Sequence, residues 1–396
     1  MGILEAEFRP NPDYEIVPLP NLTDAECAAF EGLRDDPECF GILRPRDGSG
    51  LRIKSICRQT AALLDSLAVA SGLPEQVRQL PPSEAERHVL DLVLGDAIQV
   101  RLDGVYRSGV AAFGLIVQPQ AFKGELGRLA QLSLDAVRFG DALPIDDPLR
   151  LSAQIYFFNR LPQTPRWARL LPNDEAHARY LGIDAGGRCS KLLRALGGKM
   201  ADAPELQGWL LWSARESGET SQRRSFSYKL YVSPRPEELP EALPKIVAAF
   251  VDFGVRRMKI GAGLGGLLRP DKIVAYFEEF GQLEAVAQRL LADLKGVAPH
   301  GVPFTAELGG AGLVSWGMDP HETRSFSWQE TSSWRLWITN RLAAAILDAR
   351  ASPESGLTAW RYALERLSVE GVDVQTWAPT AEYERRIAAA RRTQGS

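Results

Sequence analysis

The sequence predicts an α+β fold: a helical N-terminal domain followed by a mainly antiparallel, twisted sheet with helices packed on it. Three observations carry this expectation. Up to about residue 200, most segments repeat their apolar residues at helical spacing. From residue 206 onward, short alternating runs typical of half-buried strands are interleaved with helical stretches. Between the two regimes LGGKMADAPE breaks both periods, which sets an expected boundary near residue 200, with one domain over 1–200 and a second over 201–396.

The first twenty residues are rich in proline and read as an extended arm. LTDAECAAFEGLRDD opens on the N-cap type residue Thr23 and reads as a helix, as do CRQTAALLDSLAVASGL (57–73), EAERHVLDLVLGDAI (84–98) and AFKGELGRLAQLSLDAVRFGDAL (121–143). AIQVRLDGVYRSG reads as a strand turning at Asp103-Gly104. SAQIYFF, inside 149–172, is expected as a strand, followed by a proline-punctuated basic loop with Arg160, Arg166, Trp167 and Arg169. That loop suits a solvated surface or the rim of an acidic-ligand site. NDEAHARYLGIDAGG is a short helix closed by glycines.

In the second half LQGWLLWSARES (206–217) is a strand, and SFSYKLYVSP (225–234) alternates cleanly. Ser227, Lys229, Tyr231 and Ser233 take one face there, and Tyr228, Leu230 and Val232 the other. Successive residues on one face stand about 7 Å apart along the strand. PEELPEALPKIVAAFVDFG (236–254) is a helix with proline and acids in its first turns. RRMKI (256–260) and DKIVAYF (271–277) are strands, 279–295 is a helix, GLVSWG (312–317) is a strand, and 330–350 and 358–368 are helices.

Composition narrows the function. A formal charge of −4 excludes a general nucleic-acid binder and makes any basic site local. Cys27, Cys39, Cys57 and Cys189 lack metal-ligand spacing, and His88, His177, His300 and His321 are scattered, so no zinc site and no metal cofactor are expected. The N-terminal stretch has no basic region followed by an apolar run, and no segment is apolar long enough to span a bilayer. The expectation is a cytoplasmic protein with reduced thiols and no membrane partner.

The stretch RRMKIGAGLGGLLRPDKIVAYF (256–277) is the informative one. Gly261, Gly263 and Gly266 spell a dinucleotide fingerprint, but Pro270 and the strand after it replace the required helix. The Lys-Ser/Thr end of a Walker loop is missing, and no other kinase element accompanies the glycines. A plain hairpin loop and an anion site built from cations on adjacent strands both remain open. In the second case Lys229, Lys259, Arg269 and Lys272 converge on one sheet face or its rim, with Arg335 arriving from the C-terminal helix. Two or three such cations clamp a phosphate dianion. A lysine crowded by cations and partly buried loses its proton more easily and can act as a base. A base beside a bound phosphoester suggests β-elimination.

SYKLYVSP, MKIG, LLRPDKIVAYF and GVPFTAEL…SWGMDP…SSWRLWITNRLA together resemble the HopA-type effector family and the class V lanthipeptide lyases, over roughly residues 225–345. More remotely they resemble the phosphothreonine lyases of bacterial type III secretion and the lyase domains of class III and IV lanthipeptide synthetases. The resemblance implies elimination of phosphate from phosphoserine or phosphothreonine to dehydroalanine or dehydrobutyrine, with no cofactor. It implies a phosphorylated precursor peptide as substrate, a separate kinase as partner, and an N-terminal half that recognises the leader peptide or the kinase. It assigns Lys229 as the base, Lys259 and Arg269 to the phosphate, and Arg335 as a further phosphate ligand. Lys272 joins that set from the cation cluster. Tyr231 stands where a Lys-x-His motif has its acid histidine. It can act as the acid, leave the phosphate to depart unaided between cations, or mark a relative that only binds phosphopeptide. An effector-like protein acting on a host phosphoprotein is the third reading.

Overall fold

The computed structural model describes residues 3–29, 37–117, 122, 124–196, 198–200, 208–214, 228–320, 333–352, 358–381 and 383–384. The chain forms two compact units. The first takes residues 1–121, 321–332 and 344–371, and the second takes 122–320, 333–343 and 372–396. The boundary expected near residue 200 lies inside the second unit. Ser227, His321 and most of LGGKMADAPE lie outside the described residues.

In the first unit β1 (Phe8–Pro10), β2 (Tyr14–Pro18), β3 (Cys39–Pro45), β4 (Lys54–Cys57), β5 (Ile98–Leu102) and β6 (Val105–Arg107) form two antiparallel three-stranded sheets, ordered β1-β5-β6 and β2-β3-β4. The hairpin from β5 to β6 turns on Asp103 and Gly104, both at positive φ, as the Asp-Gly pair requires. Helices α1 (Asp24–Ala29), α2 (Arg58–Ser66), α3 (Glu75–Arg78), α4 (Pro82–Leu94) and α5 (Gly109–Ile116) complete the N-terminal part. Phe8, Leu43, Leu64, Val89, Val93 and Ile98 form its core.

The second unit begins with helices α6 (Arg128–Ala142), α7 (Pro148–Tyr156), α8 (Pro165–Leu170), α9 (Asp174–Leu181) and α10 (Arg188–Ala195). The strand expected at SAQIYFF is the helix α7, because Asp147 accepts the Arg150 amide at 2.7 Å, Pro148 supplies the first helical φ, and Leu151, Ser152 and Ile155 are buried at helical spacing. The basic loop after it holds a short turn of helix, α8, capped by Thr164.

A seven-stranded antiparallel sheet follows, built from β7 (Gly198–Met200), β8 (Trp209–Ala214), β9 (Tyr228–Val232), β10 (Arg257–Gly261), β11 (Ile273–Phe277), β12 (Ala306–Leu308) and β13 (Val314–Met318). Its order is β12-β13-β9-β11-β10-β8-β7. Helices α11 (Leu239–Asp252), α12 (Gly263–Leu267) and α13 (Phe280–Asp293) connect these strands. Helix α14 (Trp334–Ala351) and helix α15 (Ala359–Val369) come next, followed by the two-residue strands β14 (Val372–Asp373) and β15 (Ala378–Pro379).

The register divides the residues between the two sheet faces. Lys229 lies opposite Tyr276, Tyr276 opposite Arg257, Tyr231 opposite Val274, and Val274 opposite Lys259, so these side chains share a face. The other face carries Leu230, Val232, Met258, Ile260, Ile273, Ala275 and Phe277, all buried. Helix α13 packs against β9, β11 and β13 and brings the buried Leu283, Val286, Ala287 and Leu290. Truncating one of these leucines to alanine is worth roughly 2–5 kcal/mol. One face of the sheet therefore holds the core and frees the other for polar chemistry.

Candidate functional site

The polar face gathers three of the expected cations over an aromatic floor. Lys229 Nζ lies 5.4 Å from the centroid of the Tyr276 ring, and Lys259 Nζ lies 5.9 Å from the same centroid. Lys259 Nζ also sits 4.0 Å over Trp209, whose ring takes the Arg269 guanidinium at 4.5 Å. Tyr276 and Trp209 thus link Lys229, Lys259 and Arg269 in a chain of cation–π contacts.

The three cations differ in their partners. Lys229 is ion-paired with Asp319 at 2.6 Å. Arg269 holds Asp271 with two hydrogen bonds of 2.9 and 3.1 Å and donates to the Tyr156 hydroxyl at 3.2 Å. Lys259 makes no ion pair or hydrogen bond among the described residues. Burial, reinforced by Lys229, pulls Lys259 down to about 8.

Tyr231 is 3% exposed and packs with Val274 and Val302. Burial first, and Asp319 second, push its phenol well above the ordinary value. It therefore remains a protonated donor at any working pH, and loses its proton only at high cost.

Lys272 and Arg335, also expected at the phosphate, direct their polar atoms elsewhere. Lys272 is fully buried and donates to the Pro234 carbonyl at 3.0 Å, with its Nζ 2.8 Å from His300 Nδ1. His300 Nε2 lies 2.7 Å from the Asn159 carbonyl, which can only accept, so Nε2 carries the ring proton and Nδ1 accepts from Lys272. Burial lowers Lys272 to about 7 and His300 to about 3. Arg335 is 1% exposed and donates to Pro303 O at 3.0 Å, Asp271 at 2.7 Å and Tyr156 O at 2.8 Å.

Asp271 is the centre of this second layer. Burial alone would raise its carboxyl, but Arg335 and Arg269 hold it far below the ordinary carboxylate range. The Tyr156 hydroxyl adds a hydrogen bond of 3.0 Å. Sequence reasoning missed Asp271, Tyr156, Asp319, Trp209 and Tyr276 as site residues. Two of them carried a usable signal. Period-two alternation places Tyr276 on the face of the paired Lys259 and Lys229, and Asp319 lies in the quoted SWGMDP.

The glycine-rich stretch folds back on itself. Gly261 and Gly266 approach so closely that a Cβ on Gly261 would stand 2.3 Å from the Gly266 carbonyl oxygen. Helix α12 fills the loop, and Arg160 donates to Gly265 O at 3.1 Å. The glycines let the chain fold back tightly between Lys259 and Arg269.

No protein-family model matches the chain. No curated protein matches it either. Among solved structures it is similar to an effector protein from Pseudomonas syringae pv. tomato strain DC3000, with 13% identity, a TM-score of 0.40, and coverage of 64% of this chain and 99% of that one. An effector protein from Pseudomonas syringae pv. syringae strain 61 gives 14% identity, a TM-score of 0.34, and coverage of 64% and 98%. The type III effector/phosphothreonine lyase OspF from Shigella flexneri gives 13% identity, a TM-score of 0.26, and coverage of 32% and 75%.

Proposed function

We propose that this protein is a phosphoserine/phosphothreonine lyase acting on a precursor peptide in lanthipeptide-type biosynthesis. One observation carries the reading: Lys259 is a partly buried lysine with no anionic partner among the described residues, placed between Lys229 and Arg269. With its proton held to about 8, roughly a tenth of Lys259 is neutral at pH 7, against less than about a thousandth for an ordinary lysine.

In the proposed step neutral Lys259 takes the α-proton of the phosphorylated residue. The freed C–H electron pair becomes the Cα=Cβ bond. The Cβ–O bond breaks and its pair leaves with the phosphate, so no redox partner or water is consumed. Arg269 and Lys229 hold the phosphate charge, and Tyr231 donates a hydrogen bond without giving up its proton. Arg335 and Asp271 fix Arg269, and Lys272 with His300 supports the strand end. The base role moves from Lys229 to Lys259 because Lys229 is tied to Asp319. Since the substrate must arrive phosphorylated, a separate kinase is the implied partner.

The second reading is a phosphopeptide-binding protein without chemistry. It is favoured by the Lys229–Asp319 pair and by the depth of Tyr231. An effector-like lyase acting on a host phosphoprotein would use the same chemistry on another substrate.

Mass spectrometry of the kinase-phosphorylated precursor, incubated with the protein and no nucleotide, tests the proposal. Loss of phosphoric acid, thiol trapping of the product, and silence of Lys259→Met support the lyase. Phosphate-dependent binding without that mass loss would leave the binding reading.

A further inference from the structure

On the opposite face of the same sheet lies a cavity of about 480 Å³, within the size range of small-molecule sites. Leu210 and Trp212 of β8 form its floor, and they pair with Ile260 and Met258, away from the face that carries Lys259. Leu193 of α10 adds an apolar wall. Asp174 of α9 and Arg194 of α10 line it as well, and both are exposed. His177, 3% exposed, completes the wall, and its Nε2 has no hydrogen-bond partner among the described residues.

Among the described residues the two charges are not ion-paired, and Asp174 only adds its field to the neighbouring His177. Among the described residues the Asp174 carboxylate accepts no hydrogen bond and forms no ion pair. Among the described residues Arg194 donates only through its Nε, to Ser190 O at 3.2 Å. Opposite charges lining one apolar chamber, unpaired with each other, match a ligand that carries both charges on an apolar body. A ligand ammonium meets the carboxylate of Asp174, its carboxylate meets the fork of the Arg194 guanidinium, and its side chain enters between Leu193, Leu210 and Trp212. Asp174 stands at the start of α9 and Arg194 in the last turn of α10, so both are held by helix ends rather than by mobile loops.

We propose that this cavity binds a free amino acid with an apolar side chain, at a site distinct from the cationic face. The inference does not depend on the lyase reading, because it uses none of its residues.

Calorimetric titration of the full chain with L-leucine and L-phenylalanine tests it, alongside L-leucinamide, N-acetyl-L-leucine and the neutral 3-methylbutanol. Saturable binding at one site per chain is expected for the two amino acids, and weaker binding for the three comparators. Arg194→Ala should weaken L-leucine about tenfold or more while leaving leucinamide unchanged. Asp174→Asn should do the same for L-leucine while leaving N-acetyl-leucine unchanged. Both residues are exposed, and circular dichroism checks that the variants fold. The proposal is overturned if neither amino acid binds. It is equally overturned if 3-methylbutanol binds as tightly as leucine, or if both variants bind leucine like the parent protein. Elimination activity on a phosphopeptide can fail without altering any of these outcomes.

Discussion

At the scale of single residues, Lys259 and Lys229 are coupled, and the coupling has a sign. Burial is the main cause of the low Lys259 value and the charge of Lys229 the second. Removing Lys229 relieves that push and leaves Asp319 unpaired, and both changes favour the protonated form of Lys259. The rate of elimination should rise with pH as Lys259 loses its proton near 8, and in Lys229→Met that rise should move to higher pH. A pH–rate profile of kcat/KM on one phosphopeptide checks this. An unmoved profile would mean that Lys259 is not the titrating base. Lys259→Met should lower the rate by roughly 10²–10⁴-fold while phosphopeptide binding persists. Tyr231→Phe should cost far less than Lys259→Met, because a buried phenol raised above its ordinary value donates a hydrogen bond and not a proton. A loss in Tyr231→Phe as large as that in Lys259→Met would make it the acid.

At the scale of elements, the site is reached through pieces whose own stability is local. Helix α7 starts on Asp147 and ends at Tyr156, whose hydroxyl and carbonyl bind Asp271 and Arg335. Asp147→Ala should therefore cost about 1 kcal/mol by loss of the cap, and should raise KM for phosphopeptide more than it lowers kcat. Thermal melting and steady-state kinetics read the two parts. Gly261→Ala meets the Gly266 carbonyl oxygen at 2.3 Å and should destabilise the protein strongly, seen as a large fall in Tm. How legible these elements were depended on which period ruled them. Strands β9 and β10 alternate apolar with polar or charged residues in sequence, so period two found them and placed Lys229, Tyr231 and Lys259 on one face, whereas β11 and β13 are buried almost throughout and were legible only as short apolar runs bounded by glycine and proline. Helix α7 was hidden because Ile155, Tyr156, Phe157 and Phe158 form a continuous apolar run, and such a run has no period of its own. Its cap, Asp147-Pro148, was the better signal. The strands before residue 60 are short and carry proline at β1, β2 and β3, which masks them. The roles of Arg335 and Lys272 were not legible at all, since a cation's partner is decided by which backbone carbonyls pass it in space.

At the scale of the whole molecule, burying so many titratable groups on and around one sheet makes stability depend on pH in a defined direction. Lys259 and Lys272 are lowered to about 8 and about 7, while in the unfolded chain a lysine titrates near 10.4. Between those values the unfolded chain binds more protons, so stability rises with pH through that window, by at most about 1.4 kcal/mol per unit for each lysine. His300, lowered to about 3, adds a loss of stability as pH falls below its ordinary value near 6.5. Tyr156 and Tyr231 act in the opposite sense, because their folded values are raised, so the stability they contribute is present below about 10 and lost above it. Seven of the nine tryptophans belong to the second unit, so their emission follows the unfolding of the sheet that carries these groups. Urea midpoints read by that emission should climb from pH 7 to pH 9, and Lys272→Met should flatten the climb by about half of what the two lysines supply. A midpoint that falls over this interval would mean that both lysines keep their protons inside the folded sheet. In that case Lys259 could not serve as the base.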